Sequence, residues 1–528
     1  MPDPTNLTSL KKSPFFRLKG LKDRNVYPND RTTPENCAEI SNMNFSESGI
    51  AASRNGKTKY NSSQTAGNKP MTGFIEAPFK AGSKRFFGTE TKLYADDGTT
   101  RSDVTGSVTV SGSSDEHFSF AFIDDKIVGC NTKNPPFTWA GNTGVNAAAL
   151  TFASDSTSWT KAEGIVVHKN TLIVLAPTIS STVYPTRILW ADVNTKTYTV
   201  DITRYLNNNR FEVGGLNSTP IVGGVDNWDK LWVMKSDGVY VGELVGRDAG
   251  AIEYVPDKEI GALKGFSPIA PSSFIARPDF VFGIAKEGAF VINKEGQFQI
   301  ITSDIDFHSK FNVSRLQYAV ATTRENDHQV RVLMSGSDCS AGHDKILVWD
   351  WQTGDISIED HSKLKLNYIS KYSSNNEEKD IHGGYSTGYL YTANTDYDDD
   401  GSLIDWSYKT SVNDLTLSGV DKTIHSIVTF YKNLGSGSQS LLMEFERDEG
   451  ARASKSKQVS LGGGNSYNSG ATFDTGAEYS GQGTRQLRWG VNRTAQNVSI
   501  RWSGSSIVQL IGYQIYYTVD DTEINTSA

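Results

Sequence analysis

Cysteine is nearly absent from this chain. Cys37, Cys130 and Cys339 are far apart and odd in number, which excludes a disulfide scaffold and any CxxC metal knuckle. Proline is also sparse, at 16 residues against 48 glycines, so tight turns are expected rather than proline-rich linkers. No run of apolar residues approaches the length of a membrane-spanning helix, so no membrane insertion is expected. The opening MPDPTNLTSLKKSPFFRLKG lacks the apolar stretch of a signal peptide, so synthesis and assembly in a cytoplasm are expected. Positive charge is in deficit: 52 Lys and Arg against 60 Asp and Glu give a net charge of -8 and a pI near 5.6. That balance argues against a protein that grips nucleic acid in a basic groove. It remains compatible with a conduit whose negative walls keep DNA from sticking.

Catalytic signatures are missing too. There is no GxSxG, HExxH, P-loop or dinucleotide fingerprint. The eight histidines, at 117, 168, 308, 328, 343, 361, 382 and 425, have no partner at metal-ligand spacing. Trp349-Asp350 is a lone WD dipeptide without recurrence. Ala153-Ser-Asp155-Ser-Thr-Ser-Trp159 only loosely matches the SxDxGxTW boxes of sialidase-like propellers, lacks the glycine and never repeats. The glycine runs at 435–437 and 462–464 lie between polar residues and read as loops rather than phosphate cradles. The expectation is a protein that is not an enzyme.

Aromatic residues are plentiful at 11%, and short β-branched and aromatic runs are split by two to four turn residues. Examples are Lys230-LWVMKSDGVYVGEL, Phe280-VFGIAKEGAFVINKEGQFQII and Lys345-ILVWDWQTGDISI. Such hairpins recur about every 40 to 50 residues, near 118–130, 164–176, 229–242, 280–300, 330–358 and 381–393. One small sheet cannot bury both faces, whereas a ring of sheets stacks face to face and leaves only short edges. The pattern predicts an all-β protein with a β-propeller of six or seven blades over 35–395, with 36–60 able to supply a closing strand. Packed sandwiches are the alternative.

Flanking segments differ in composition. Residues 1–34 are interrupted by prolines and carry Lys11, Lys12, Arg17 and Lys19, which read as a basic arm contacting a partner or as a solvated tail. Residues 396–405 are an acidic interdomain turn in which Asp396, Asp398 and Asp400 precede Gly401 with the spacing of a calcium loop. Position twelve of such a loop is Ser407 rather than a bidentate Glu. Calcium is one reading and a solvated turn the other; no further cofactor is expected. Residues 406–528 alternate as a C-terminal β-sandwich, with 448–484 as a Gly/Ser-rich exposed loop.

Two segments carry a pattern. The first is Asn29-Asp30, Pro34-Glu35-Asn36-Cys-Ala38, Asn42-Met-Asn44-Phe45, Gly49-Ile50 and Arg54-Asn55-Gly56. The second is Ile404-Asp-Trp-Ser-Tyr408-Lys409-Thr410 followed by Lys422-Thr-Ile-His-Ser-Ile, with the ending Gln509-LIGYQIYYT. In order and spacing they resemble the nozzle, tail tubular and hub proteins of short-tailed phages. Asn44-Phe45 stands where many members have Asn-x-Asp, and Asn55 where proline is common.

The resemblance implies a structural virion protein assembled in the host cytoplasm. It would be a homo-hexameric ring in the phage tail, docked on an adaptor or portal ring, carrying tail fibres, with viral DNA passing through the lumen. A ring of this kind is a closed heterologous assembly. The alternatives are a carbohydrate-binding tail adhesin and a propeller-type glycan-processing protein.

Overall fold

The computed structural model describes residues 10–23, 36–47, 49–194, 199–215, 218–246, 252–256, 265–375, 377–393, 397–415, 419–433, 439–461, 484–505 and 507–519. Among these, helix is confined to one four-residue α-helix, Phe307–Lys310, and short 3-10 turns; the rest of the ordered elements are strands. Among the described residues no helix is long and apolar enough to cross a membrane.

Turn chemistry sets the repeating unit. Lys230–Lys235 and Gly238–Gly246 pair antiparallel around Ser236-Asp237, and Val281–Ala285 pairs with Gly288–Ile292 around Lys286-Glu287. Gly238 and Gly288 hold φ of 148° and 141°, a conformation that side chains rarely adopt. In the central strands both faces are buried, as in Thr171–Leu175 and Val281–Ala285, because each sheet packs between two others.

Seven such sheets follow one another as blades. They begin with the innermost strands Met71–Phe79, Ser119–Ile123, Gly164–His168, Ile221–Asn227, Ile275–Ala276, Val320–Arg324 and Leu366–Ser374. Each innermost strand neighbours the next, and the seventh neighbours the first, so the ring closes. The first six blades have four strands each. The seventh has three of its own, Leu366–Ser374, Glu377–Gly384 and Leu390–Ala393; its outer strand is Lys57–Lys59, which pairs antiparallel with Leu390–Ala393. The architecture is thus all-β with a seven-bladed propeller, and the closing strand comes from the stretch expected to supply it.

The second unit is a sandwich of two sheets. One runs Met43–Glu47, Ile50–Ser53, Val508–Val519, Lys422–Asn433 and Arg485–Ala495 in spatial order. The other runs Cys37–Ser41, Trp406–Thr410, Val498–Gly504, Gln439–Arg447 and Arg452–Leu461. Ile427, Trp489, Val491 and Ile515 face Tyr408, Met443, Phe445, Ile500 and Trp502 in one buried core. Trp502 Nε1 donates to Thr429 Oγ1 across the sheets at 3.0 Å, satisfying the indole inside that core.

Several expected boundaries differ from those observed. The described part of the 1–34 segment is not a free arm. Lys11–Lys12 and Phe16–Arg17 pair with Val508–Val519. The reason is an alternation short enough to survive the prolines: Phe16, Leu18 and Gly20 are buried while Arg17 and Lys19 are exposed. Residues 37–53 are sandwich strands, not propeller, because their apolar residues Cys37, Ile40, Met43, Phe45 and Ala51 complete the sandwich core. Part of the acidic turn, Asp398–Asp399 and Ser402–Leu403, forms a hairpin added to blade seven rather than an interdomain linker. Arg452–Leu461 is a strand rather than loop, paired along Gln439–Arg447, and 462–483 lies outside the described residues.

Candidate functional site

Two places concentrate polar chemistry: the junction between sandwich and propeller, and the propeller axis. At the junction the chain leaves the sandwich at Ser53 and enters blade seven at Lys57, so Arg54 sits where both units meet. Arg54 is 2% exposed and grips Asp399 with two hydrogen bonds, Nη1 to Oδ1 at 2.9 Å and Nη2 to Oδ2 at 2.5 Å. Its Nε donates to Asn42 Oδ1 at 2.7 Å, and Asn42 Nδ2 donates to the carbonyl of Asp405 at 2.7 Å. Asn44 Nδ2 donates to Glu359 Oε1 at 2.7 Å on the outer strand of blade six. Gly20 lies against that same strand, where a Cβ would fall 2.5 Å from the Ile356 nitrogen, so only glycine fits.

The buried charges at the junction balance. Arg54, Lys57 and Arg331 face Glu359, Asp380 and Asp399, three of each sign, all at most 5% exposed. Arg331 meets Glu359 at 2.7 Å and Asp380 at 3.0 Å. Burial alone would raise the acids, but Arg331 holds Glu359, and Arg54 with His361 holds Asp399, well below the ordinary carboxylate range. Burial pushes Lys57 down to about 8 and keeps His361 and His382 below the usual histidine value. A cleft of about 650 Å³ opens beside this network, lined by Asn44, Arg54, Lys57, Arg331 and Glu359 among others.

The axis holds a second cavity, of about 420 Å³. Every blade contributes to it: Phe74, Phe120, Ile165, Gly224, Phe274, Tyr318 and Tyr368 come from or just precede the seven innermost strands. The connection before blade two crosses the axis. Asp115 takes a two-pronged ion pair from Arg315 beside blade six, at 2.6 and 3.1 Å. His117 Nδ1 shares a 3.1 Å hydrogen bond with Ser272 Oγ beside blade five, and Asn367 of blade seven donates to the Ser114 carbonyl at 2.9 Å. These contacts make Ser114–His117 a plug. Burial pushes His117 down to about 4, helped by Arg315 and opposed by Asp115, so it is neutral at pH 7. Glu163 lines the same cavity, and burial alone raises its carboxyl to about 7.

No family model matches this chain. No curated protein matches it either. Among 370 matching chains of solved structure is the WD40 domain of Neurospora crassa Pan2, at 9% identity and a TM-score of 0.37. That match covers 64% of this chain and 95% of the other. The extracellular domain of a hybrid two-component system of B. thetaiotaomicron matches at 10% identity and 0.39, over 70% of this chain and 43% of that one. PorZ, a surface component of the type-IX secretion system of Porphyromonas gingivalis, matches at 9% and 0.34, over 65% and 42%. The chain therefore spans less than half the length of the latter two, and at such scores none bears on what it does.

The sequence-predicted residues fall as follows. Asp396 lies outside the described residues. Asp398 accepts from the Gly401 amide within the hairpin at 2.7 Å, and Asp400 pairs at 3.2 Å with Lys59 of the neighbouring Lys57–Lys59 strand, so both carboxylates are engaged. Among the described residues no three His, Cys, Asp or Glu side chains gather as a metal site. Lys11, Lys12, Arg17 and Lys19 are all exposed along the edge of the sandwich, and Lys12 Nζ lies 5.9 Å from the Tyr516 ring centre. Arg54, Glu359 and Glu163 were not picked out as site residues. Arg54 was spelled by the terminal pattern; Glu163 has no local signal, since a propeller axis assembles only in three dimensions.

Proposed function

We propose that the chain is a structural subunit of a phage tail, of the nozzle kind that its two terminal segments resemble. One observation carries this reading. The two segments, more than 350 residues apart, are neighbouring strands: Glu39 pairs with Lys409, Ile40 with Tyr408 and Ser41 with Ser407. The same pattern's Asn42, Asn44 and Arg54 tie the sandwich to blades six and seven. A pattern that coincides with one structural joint has a mechanical reason to exist. It favours a rigid wall element over an independent binding module.

The exposed Lys11, Lys12, Arg17 and Lys19 row lies on a chain of net charge -8, which supports contact between unlike surfaces of neighbouring copies or an acidic ring partner. Head-to-tail contact of that kind closes into a ring when the rotation between neighbouring copies completes a full turn. DNA would pass between subunits rather than through a propeller axis crossed by Ser114–His117.

Light scattering on the purified full chain across concentration, with and without an adaptor ring, tests this. A mass that is a multiple of 57.8 kDa, or stable docking on the ring, is expected. A chain that stays monomeric, ignores the ring and cleaves polysaccharide would contradict it.

A further inference from the structure

The axial cavity contains an imbalance that the junction does not. Three acids line it, and two have cations. Asp115 is held by Arg315 at 2.6 Å, and Glu116 by Lys133 at 3.2 Å. Glu163 has no ion pair or side-chain hydrogen bond among the described residues, and no charged neighbour contributes to its raised pKa. His117 is held neutral, with Nδ1 committed to Ser272, so it supplies no counter-charge.

An ionised carboxylate in a confined, partly apolar space is costly unless something neutralises it. The surrounding walls say what that something is. Phe74, Phe120, Phe274, Tyr318 and Tyr368 place aromatic rings around the cavity, and Gly223 lets the Phe274 ring pack directly on its backbone. Aromatic faces attract positive charge and repel anions. A divalent metal would need several oxygen ligands, whereas two of the three acids are already paired. A volume of about 420 Å³ suits a molecule of a few to about a dozen heavy atoms.

We propose that the propeller axis binds a small organic cation, a primary ammonium or guanidinium, with the Glu163 carboxylate as its counter-ion and the aromatic rings as its walls. The site stands on the cavity and does not depend on the tail reading. The Ser114–His117 plug gives it a floor.

Calorimetric titration and thermal melts at pH 8 with butylammonium and agmatine test it, using butyrate and glucose as controls, on the wild type and Glu163→Gln. Both amines should bind the wild type and raise its melting temperature, and Glu163→Gln should lose about 10- to 100-fold in affinity. Glutamine has the same shape, and circular dichroism checks that the variant folds. Absence of amine binding to the wild type would overturn the proposal. So would equal binding by Glu163→Gln, or glucose binding unchanged by it, which would make the cavity a neutral sugar site instead.

Discussion

Arg54 and Asp399 are 345 positions apart in the chain and form a two-pronged ion pair with both side chains at most 4% exposed. The arginine enters from the sandwich and the aspartate from the hairpin on blade seven, so the pair joins the two units where the ring is closed. Removing one partner strands a buried charge. Asp399→Ala should therefore cost about 3–5 kcal/mol, measured by denaturant unfolding. Arg54→Met combined with Asp399→Leu should recover much of that loss, because neither charge then remains. A single variant with unchanged stability would show that the joint contributes nothing.

Ring closure depends on Lys57–Lys59. Thr58 pairs with Thr392 in the outer strand of blade seven. Thr58→Pro cannot support a regular strand pairing and should destabilise the fold by about 3 kcal/mol. Hydrogen exchange should show faster exchange in Leu390–Ala393 before the sandwich strands are affected.

Glu163 makes stability depend on pH with a definite sign. Burial raises its carboxyl from the ordinary 4.5 to about 7 in the folded state. The folded state thus holds the proton more tightly, and the stabilisation is complete below pH 4.5 and lost as pH rises through 7. Glu163→Gln should melt higher than the wild type at pH 8, with the difference vanishing near pH 4.5. His117 and His343, lowered by burial to about 4 and about 3, work the other way, adding stability as pH rises toward 6.5. Their contribution is common to both proteins and cancels in the comparison.

The Asp398–Gly401 turn should not need calcium. Asp400 is part-exposed and paired with Lys59, so Asp400→Asn should cost under about 1 kcal/mol. Melts with and without EGTA should superimpose; a drop on chelation would establish a metal that the sequence spacing anticipated.

Much of this fold was legible because hairpins advertise themselves locally. Lys230–Gly246 and Val281–Ile292 are read from their turns and β-branched runs alone. Blade one, Met71–Asp103, was not among the recurring hairpins, since Pro78 interrupts a run that nevertheless pairs through Phe79 and Gly82. Residues 37–53 were assigned to the propeller because strand alternation states that a face is buried and not which unit buries it. The chain crosses units there, and only the long-range pairing of Cys37–Ser41 with Trp406–Thr410 reveals it. Arg452–Leu461 was read as loop because its residues are nearly all polar and it lies at a sheet edge. The axial cavity was invisible for a related reason: its lining is drawn from all seven blades, and even the contiguous stretches Asp115–Phe120 and Glu163–Val166 face it only once the ring has closed.

Electron microscopy of the purified chain, alone and with a phage adaptor ring, tests the proposed structural role most directly. Class averages should show a closed ring with the sandwich edge bearing Lys11, Lys12, Arg17 and Lys19 at a subunit contact, and changing those four to Glu should dissolve it without lowering the melting temperature. Single separated particles under all conditions, or rings indifferent to the four substitutions, would contradict the account.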